Sequence, residues 1–495
     1  MSAAASFAKA PSAGVLPRRV AVLGFARSGR ALADALLARG VSVAIGDSRT
    51  EAAFAGADAS VESFRERGAR LFFGGPVPIV GFLESAEWLA ISPGVPLTAP
   101  PVQAARAAGI PVLAELEVAW RIAEAEVEPP GSNRWVAVTG TNGKSTTTSW
   151  IADVLRRAGR PVALAGNIGS PLSGFLSENA ARDFVCEVSS FQAETLDRFR
   201  PDVAVLTNIT PDHLDRYAGM REYAAAKARL FARQRPADFA VVNADDPESL
   251  AVGLPGAARR VLFSRRGRPH APGAWLQDGE LCTDLAGKSR RVVPASRLSL
   301  PGAHNVENAL AALAAAECLG VGDAPIVAAL TEFAGLPHRS QLVAEARGVR
   351  WIDDSKGTNV DATAKSLEGF APGSVLLILG GRDKHGDFAA LASLIARNVR
   401  AVLTVGEAAP LIERALGGSA AIVRCETMER AVTAAAGLAR KGDTVLLSPA
   451  CASFDQYENF EQRGDHFASL ARAAAGTTNV GTVDAPGTAG DPHGA

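Results

Sequence analysis

Between Trp135 and Thr148 the chain reads Trp-Val-Ala-Val-Thr-Gly-Thr-Asn-Gly-Lys-Ser-Thr-Thr-Thr, an apolar strand that breaks into a glycine loop and resumes as a helix. That succession commits this part of the chain to a sheet flanked by helices. It also has a chemistry. Backbone N–H groups freed by Gly140 and Gly143 can converge on phosphate oxygens at the positive end of the helix, Lys144 adds a point charge, and the Ser145 hydroxyl can reach Mg2+. A plain turn needs no Gly, Lys and Ser in this order, so the stretch is read as a triphosphate site. The loop is shorter than the common G-x-x-x-x-G-K-[ST] form, which argues against an ordinary GTPase or motor.

A chain of 495 residues is too long for one core and predicts about three domains at roughly 150 residues each. The first α/β block opens with Arg19-Val-Ala-Val-Leu-Gly-Phe-Ala-Arg-Ser-Gly29, a buried strand and glycine turn, followed by a helix to about residue 39 and a strand ending at Asp47. This start is Rossmann-like. A dinucleotide fingerprint carries glycine where this chain has Ala26, so an NAD site is the lesser reading. Pro129-Pro-Gly-Ser-Asn133 is a turn-rich break. Apolar strands near 135–139, 161–165, 183–188, 203–207 and 238–243 then alternate with helices, and residues 261–299 are expected as a small β excursion. After a second break near Gly335-Leu-Pro-His-Arg339, a third block places strands near 349–353, 374–380, 400–405, 420–424 and 443–448, without a second phosphate loop. The expected architecture is α/β in three domains, 18–130 and 336–474 Rossmann-like around a parallel-sheet ATPase-like domain at 131–335. Tails at 1–17 and 475–495 are expected to be disordered.

Net charge is −1 with no long basic run, so neither nucleic acid nor an anionic membrane is an expected partner. Five scattered cysteines, never spaced C-x-x-C, fit reduced core thiols and a cytoplasmic location. No apolar run approaches the ~20 residues that span a bilayer.

Several residues at strand ends can carry chemistry. Glu187, closing the strand before Ser-Ser-Phe-Gln192, can hold Mg2+ with Ser145 or pair with an arginine. His213 follows the 203–207 strand in Asp212-His-Leu-Asp-Arg216 and can meet a metal or a reacting carboxylate. Lys227 lies on a helix in a chain that has only eight lysines among 51 basic residues. If buried it can lose its proton and take up CO2 as an anionic carbamate; otherwise it is a solvated helix lysine. Arg339 suits phosphate and Asp354 a ribose hydroxyl or metal shell, while Lys356 and Thr358 stand at an expected helix start. Leu379-Gly-Gly-Arg-Asp-Lys384 and Ser448-Pro-Ala-Cys-Ala-Ser453 join strand ends to cations and hydroxyls.

Taken in order, the short phosphate loop, Asp212-His-Leu-Asp-Arg216, Lys227, His304-Asn-Val-Glu-Asn308, Leu336-Pro-His-Arg339, Asp354-Ser-Lys-Gly-Thr-Asn359 and Ser448–Ser453 resemble the Mur ligases. These are ATP-dependent amide-forming enzymes of peptidoglycan precursor synthesis. The loop alone is shared with folylpolyglutamate synthases; the later motifs resemble the D-glutamate-adding branch. The resemblance implies ATP, two Mg2+ ions, UDP-N-acetylmuramoyl-L-alanine and D-glutamate as ligands, and a cytoplasmic monomer. It implies that Gly140, Thr141, Asn142, Gly143, Lys144, Ser145 and Thr146 hold the triphosphate, with Asn305 and Asn308 near adenine, Arg339 on phosphate and Asp354 on ribose. Ser145 and Glu187 would hold one metal, His213 and carbamylated Lys227 the second, with Lys144, His213 and Lys227 as the catalytic set. Ser28, Asp47, Ser48, Arg49 and Ser92 would line the UDP site, Asn167 and Gln192 approach the muramoyl-alanine arm, and Thr358, Lys384, Ser453 and Phe460 meet D-glutamate. A folylpolyglutamate-type ligase, an NAD-dependent dehydrogenase and a non-catalytic ATP-binding regulator are the rival readings.

Overall fold

The computed structural model describes residues 16–54, 61–177, 180–214, 216–300 and 302–476. Most of both expected tails, and Asp215 of the histidine motif, lie outside them. The chain forms two compact units, one running to Thr210 and from Tyr217 to Ala334, the other comprising Pro211–Arg216 and the chain from Gly335.

The first unit holds two sheets. In the first, parallel strands lie in the order Arg70–Phe73, Ser42–Asp47, Arg19–Leu23, Trp88–Ile91 and Val112–Ala114. Strand order reverses beside Arg19–Leu23, which opens a crevice beyond the carboxyl ends of that strand and Trp88–Ile91. The turn into it requires glycine: Gly24 has φ +95°, and a Cβ there would sit 2.8 Å from the Ser92 side chain.

In the second sheet the phosphate-loop strand Arg134–Thr139 lies between Asp183–Glu187 and Val203–Leu206, with parallel partners continuing outward on both sides. Its buried Val, Ala and Trp side chains make it a strand covered on both faces. The expected β excursion is larger and better integrated than its broken sequence suggested. Arg259–Ser264 and Gly273–Gln277 extend the parallel sheet, and only Glu280–Thr283 and Arg290–Pro294 run antiparallel at its edge. Helix Lys144–Arg157 packs Trp150, Ile151, Val154 and Leu155 into a core shared with Ala309–Ala316 of helix Ala303–Cys318. Alanine favours helix and its small side chain permits close approach, so this helix can be buried on every side.

Helix Glu115–Glu126, which follows the first sheet, is bonded to the second. The fully buried Glu117 carboxylate accepts the backbone N–H groups of Asp197, Arg198 and Phe199 at 2.9–3.0 Å and Arg121 Nε at 2.7 Å. Glu115 accepts the N–H and hydroxyl of Ser173, and burial pushes its carboxyl up.

The second unit has a six-stranded sheet in the order Gln341–Ala346, Val349–Asp353, Thr444–Leu447, Val375–Gly380, Val399–Val405 and Ala421–Glu426. Gln341–Ala346 is an antiparallel edge strand, half exposed, and its mixed polar and apolar residues gave no strand expectation. Separate apolar clusters fill the two faces. Loops carrying Asp354–Asn359, Gly381–Lys384 and Ser448–Ser453 leave the carboxyl ends of three adjacent strands. Four cysteines are buried and Cys318 is partly so; all five are free thiols. No helix among the described residues is long and apolar enough to cross a membrane.

Candidate active site

The phosphate loop is set by two positions where only glycine fits. A Cβ on Gly140 (φ +143°) would lie 2.0 Å from Thr207 Oγ1, and one on Gly143 (φ +81°) would lie 2.2 Å from Asn308 Oδ1. Asn142 is braced in turn: its N–H donates to Asn208 Oδ1 at 2.9 Å, and its carbonyl accepts from Thr207 Oγ1 at 2.6 Å and Asn208 Nδ2 at 3.1 Å. Thr207 and Asn208 are not among the site residues expected from the sequence. Their position directly after the neighbouring strand was the available signal.

Two lysines converge on this loop. Lys144 Nζ donates to the Thr141 carbonyl at 2.6 Å, and Lys227 Nζ donates to the adjacent Gly140 carbonyl at 2.7 Å. Lys227 is 1% exposed and lies 4.2 Å from the Tyr223 ring centroid, so it is no solvated helix lysine. Tyr223 Oη in turn meets Thr141 Oγ1 at 3.2 Å.

Ser145 Oγ donates to Glu187 Oε2, and Asn167 Nδ2 donates to Glu187 Oε1 at 2.6 Å. Glu187 is fully buried. A carboxylate and a hydroxyl this close offer two hard oxygen donors. Among the described residues no group of three or more His, Cys, Asp or Glu is placed to hold a metal. The pair therefore fits Mg2+, which needs few protein ligands when phosphates complete its shell, better than an all-protein metal cage.

Asn305 and Asn308 flank the same loop: Asn308 Nδ2 donates to Asn305 Oδ1 at 3.2 Å and its Oδ1 accepts from Thr147 Oγ1 at 3.3 Å. Thr146 is buried on the helix. Gln192 is engaged locally, its Oε1 accepting the N–H and hydroxyl of Ser189 at 3.0 Å each to cap helix Ser190–Ala193.

A cavity of about 610 Å3 opens at the crevice of the first sheet, and Ser28, Asp47, Ser48, Arg49 and Ser92 all line it. Asn167 and Gln192 do not. Burial pushes the Asp47 carboxyl up, but bonds from Arg49 and from the N–H groups of Phe25 and Arg49 outweigh burial and hold it below its usual range.

In the second unit, Lys384 Nζ lies 2.8 Å from Asp212 Oδ1 and Asn359 Nδ2 lies 3.0 Å from Asp212 Oδ2, at a cavity of about 430 Å3. Burial pushes Asp212 up, yet Lys384, His213 and Asn359 reverse that and bring it to about 2. His213 has φ +55° and its Nε2 is 3.6 Å from Asp212. Lys227 and His213, expected at one metal, thus belong to different units.

Thr358, Ser453 and Phe460 do not line that cavity. Helix Val360–Leu367 begins two residues after Thr358, capped by Asn359. Phe460 stacks under Lys356 Nζ at 3.7 Å and edge-on to His338 at 6.2 Å. Asp354 is buried and accepts Ser366 Oγ at 2.6 Å and Ser448 Oγ at 2.8 Å; burial raises it to about 6 despite those bonds and the charge of nearby Arg339. The buried Arg463, absent from the sequence expectations, ties two of these loops together by donating to the Ser355 hydroxyl and carbonyl and to the Cys451 carbonyl.

Sequence profiles of known families match all three α/β blocks of the chain. Residues 18–114 match the Mur ligase MurD-like N-terminal domain, 138–316 the Mur ligase middle domain and 338–451 the Mur ligase glutamate ligase domain. The chain belongs to the Mur ligase family. Mur ligases are ATP-dependent enzymes that form amide bonds, and their three-domain α/β fold accounts for the three sheets. A Pelotomaculum thermopropionicum protein named UDP-N-acetylmuramoylalanine–D-glutamate ligase is 44% identical over 457 residues, covering 92% of this chain and 97% of that one. A protein of the same name from Anaeromyxobacter dehalogenans is 44% identical over 468 residues, covering 92% and 98%. The crystal structure of MurF from Acinetobacter baumannii shares the Mur ligase fold at a TM-score of 0.58 and 17% identity, over 91% of this chain and 93% of that one.

Proposed function

We propose that this Mur ligase joins D-glutamate to UDP-N-acetylmuramoyl-L-alanine, driven by ATP, in peptidoglycan precursor synthesis. The observation that carries the reading is the convergence of Lys144 and Lys227 on adjacent carbonyls of one glycine loop beside the Ser145–Glu187 pair. A loop so equipped handles a terminal phosphate, and the relatives' name supplies the acceptor acid and the amine.

In this reading the L-alanine carboxylate attacks the γ-phosphorus of ATP, giving an acyl phosphate and ADP. The D-glutamate amine then displaces phosphate, loses a proton and leaves an amide. Lys144 and the loop N–H groups hold the transferring phosphate, and the Asn305–Asn308 pair sits on the adenine side, with Arg339 and Asp354 assigned to phosphate and ribose. Mg2+ at Ser145 and Glu187 would neutralise charge on the phosphates; a second ion is assigned to His213 and a carbamylated Lys227. Uptake of CO2 by neutral Lys227 releases one proton and leaves one N–H, enough to keep its bond to Gly140. Ser28, Asp47, Ser48, Arg49 and Ser92 bind the UDP moiety, Asn167 and Gln192 face the muramoyl arm, and Thr358, Lys384, Ser453 and Phe460 hold D-glutamate. The enzyme is taken to act as a monomer in the cytoplasm.

Phosphate release with ATP, Mg2+ and UDP-N-acetylmuramoyl-L-alanine should depend on D-glutamate and not on L-glutamate, lysine or diaminopimelate; indifference to D-glutamate rejects the assignment. Lys227→Ala should lower kcat by about a hundredfold or more, with partial rescue by small carboxylates. Full activity of that variant removes Lys227 from the metal.

A further inference from the structure

The cavity of the first sheet is lined by one carboxylate, Asp47, and two guanidiniums, Arg27 and Arg49. Arg49 is already committed. Its Nε and Nη2 grip Asp47 at 3.0 and 2.9 Å, and its face lies 4.5 Å from the Phe54 ring centroid. Those two charges cancel locally. Arg27 is different: it is exposed, no carboxylate among the described residues pairs with it, and its Nη2 donates to a neutral acceptor, the carbonyl of Gly169. It also opens the eleven-residue helix Arg27–Leu37, whose first turn has no acidic residue to offset the positive helix end. The cavity therefore carries one uncompensated positive charge on a movable side chain at its rim.

We propose that Arg27 is the specificity-determining cation for the diphosphate of the bound nucleotide, exchanging its bond to Gly169 for a forked bond to phosphate oxygens. This rests on the reading of the cavity as the UDP site and adds to it a residue outside the set assigned above. A guanidinium suits the task because its parallel N–H groups match two oxygens of one phosphate. Its resting acceptor is informative too. Gly169 lies two residues from Asn167, which donates to Glu187, so the resting bond of Arg27 ends on the loop that touches the proposed Mg2+ carboxylate.

Ligand-observed NMR titration of the full chain with UDP and with uridine tests the proposal. Arg27→Leu should raise the Kd for UDP roughly tenfold or more while leaving that for uridine unchanged. Arg27→Lys, which keeps the charge and loses the fork, should fall between. Equal UDP affinity in wild type and Arg27→Leu overturns the proposal. So does an equal loss for UDP and uridine, which would make Arg27 a structural residue. A wild-type protein that binds neither ligand refutes the UDP reading itself, a result distinct from the others because it appears before any substitution.

Discussion

Asp354 and Asp212 show how neighbouring groups set one residue type in opposite directions. An unfolded aspartate titrates near pH ~4. Asp354 in the native state titrates at about 6, so between those values the native state binds a proton the unfolded state lacks, and this residue's contribution to stability falls as pH rises through that window. Asp212, brought to about 2, does the reverse: its contribution is present above the unfolded value and is lost as pH falls toward 2. Denaturation midpoints measured across pH should show Asp354→Asn flattening the decline between about 4 and 6 and Asp212→Asn removing loss on the acid side. Wild-type slopes in both variants would contradict these environments. Neither partner set was legible in the sequence, because Ser366 and Ser448 reach Asp354, and Lys384 reaches Asp212, only through the fold. Lys227 was half legible. Its rarity singled it out, but its burial depends on where its helix packs.

At the scale of elements, strands and helices were read most reliably where an apolar run ended in a glycine turn, as at Arg19–Leu23, Arg134–Thr139 and Val375–Gly380. The edge strand Gln341–Ala346 escaped, since a strand with one wet face and charged residues does not stand out from a loop. The phosphate loop gives an element-scale prediction. Gly143 and Gly159 both have positive φ, but a Cβ on Gly143 meets Asn308 Oδ1 at 2.2 Å whereas one on Gly159 meets nothing within 4 Å. Gly159→Ala should cost about 1 kcal/mol of backbone strain in thermal denaturation. Gly143→Ala should cost about 2–3 kcal/mol and also raise the KM for ATP, because Asn308 must move and the phosphate loop must shift with it. Equal costs would mean that the Asn308 contact does not constrain the loop.

Across the whole molecule, three α/β blocks and the order of the strand-end motifs were legible, because alternation and glycine punctuation survive in a single sequence. Which block a connecting helix is bonded to was not. The second unit has a core on each face of its own sheet. A fragment spanning 336–476 should therefore unfold cooperatively by circular dichroism, and a featureless melt would show that it borrows stability from the rest of the chain. The grip of Glu117 on the amides of Asp197, Arg198 and Phe199 bears on how such enzymes can be recombined. A chimera seamed after Ala114 carries the acceptor and its donors in one parent. Seamed after Pro130, at the turn-rich break, it would face three amides with a foreign side chain in place of their carboxylate, so the tolerant crossover point lies ahead of the helix and not at the visible linker.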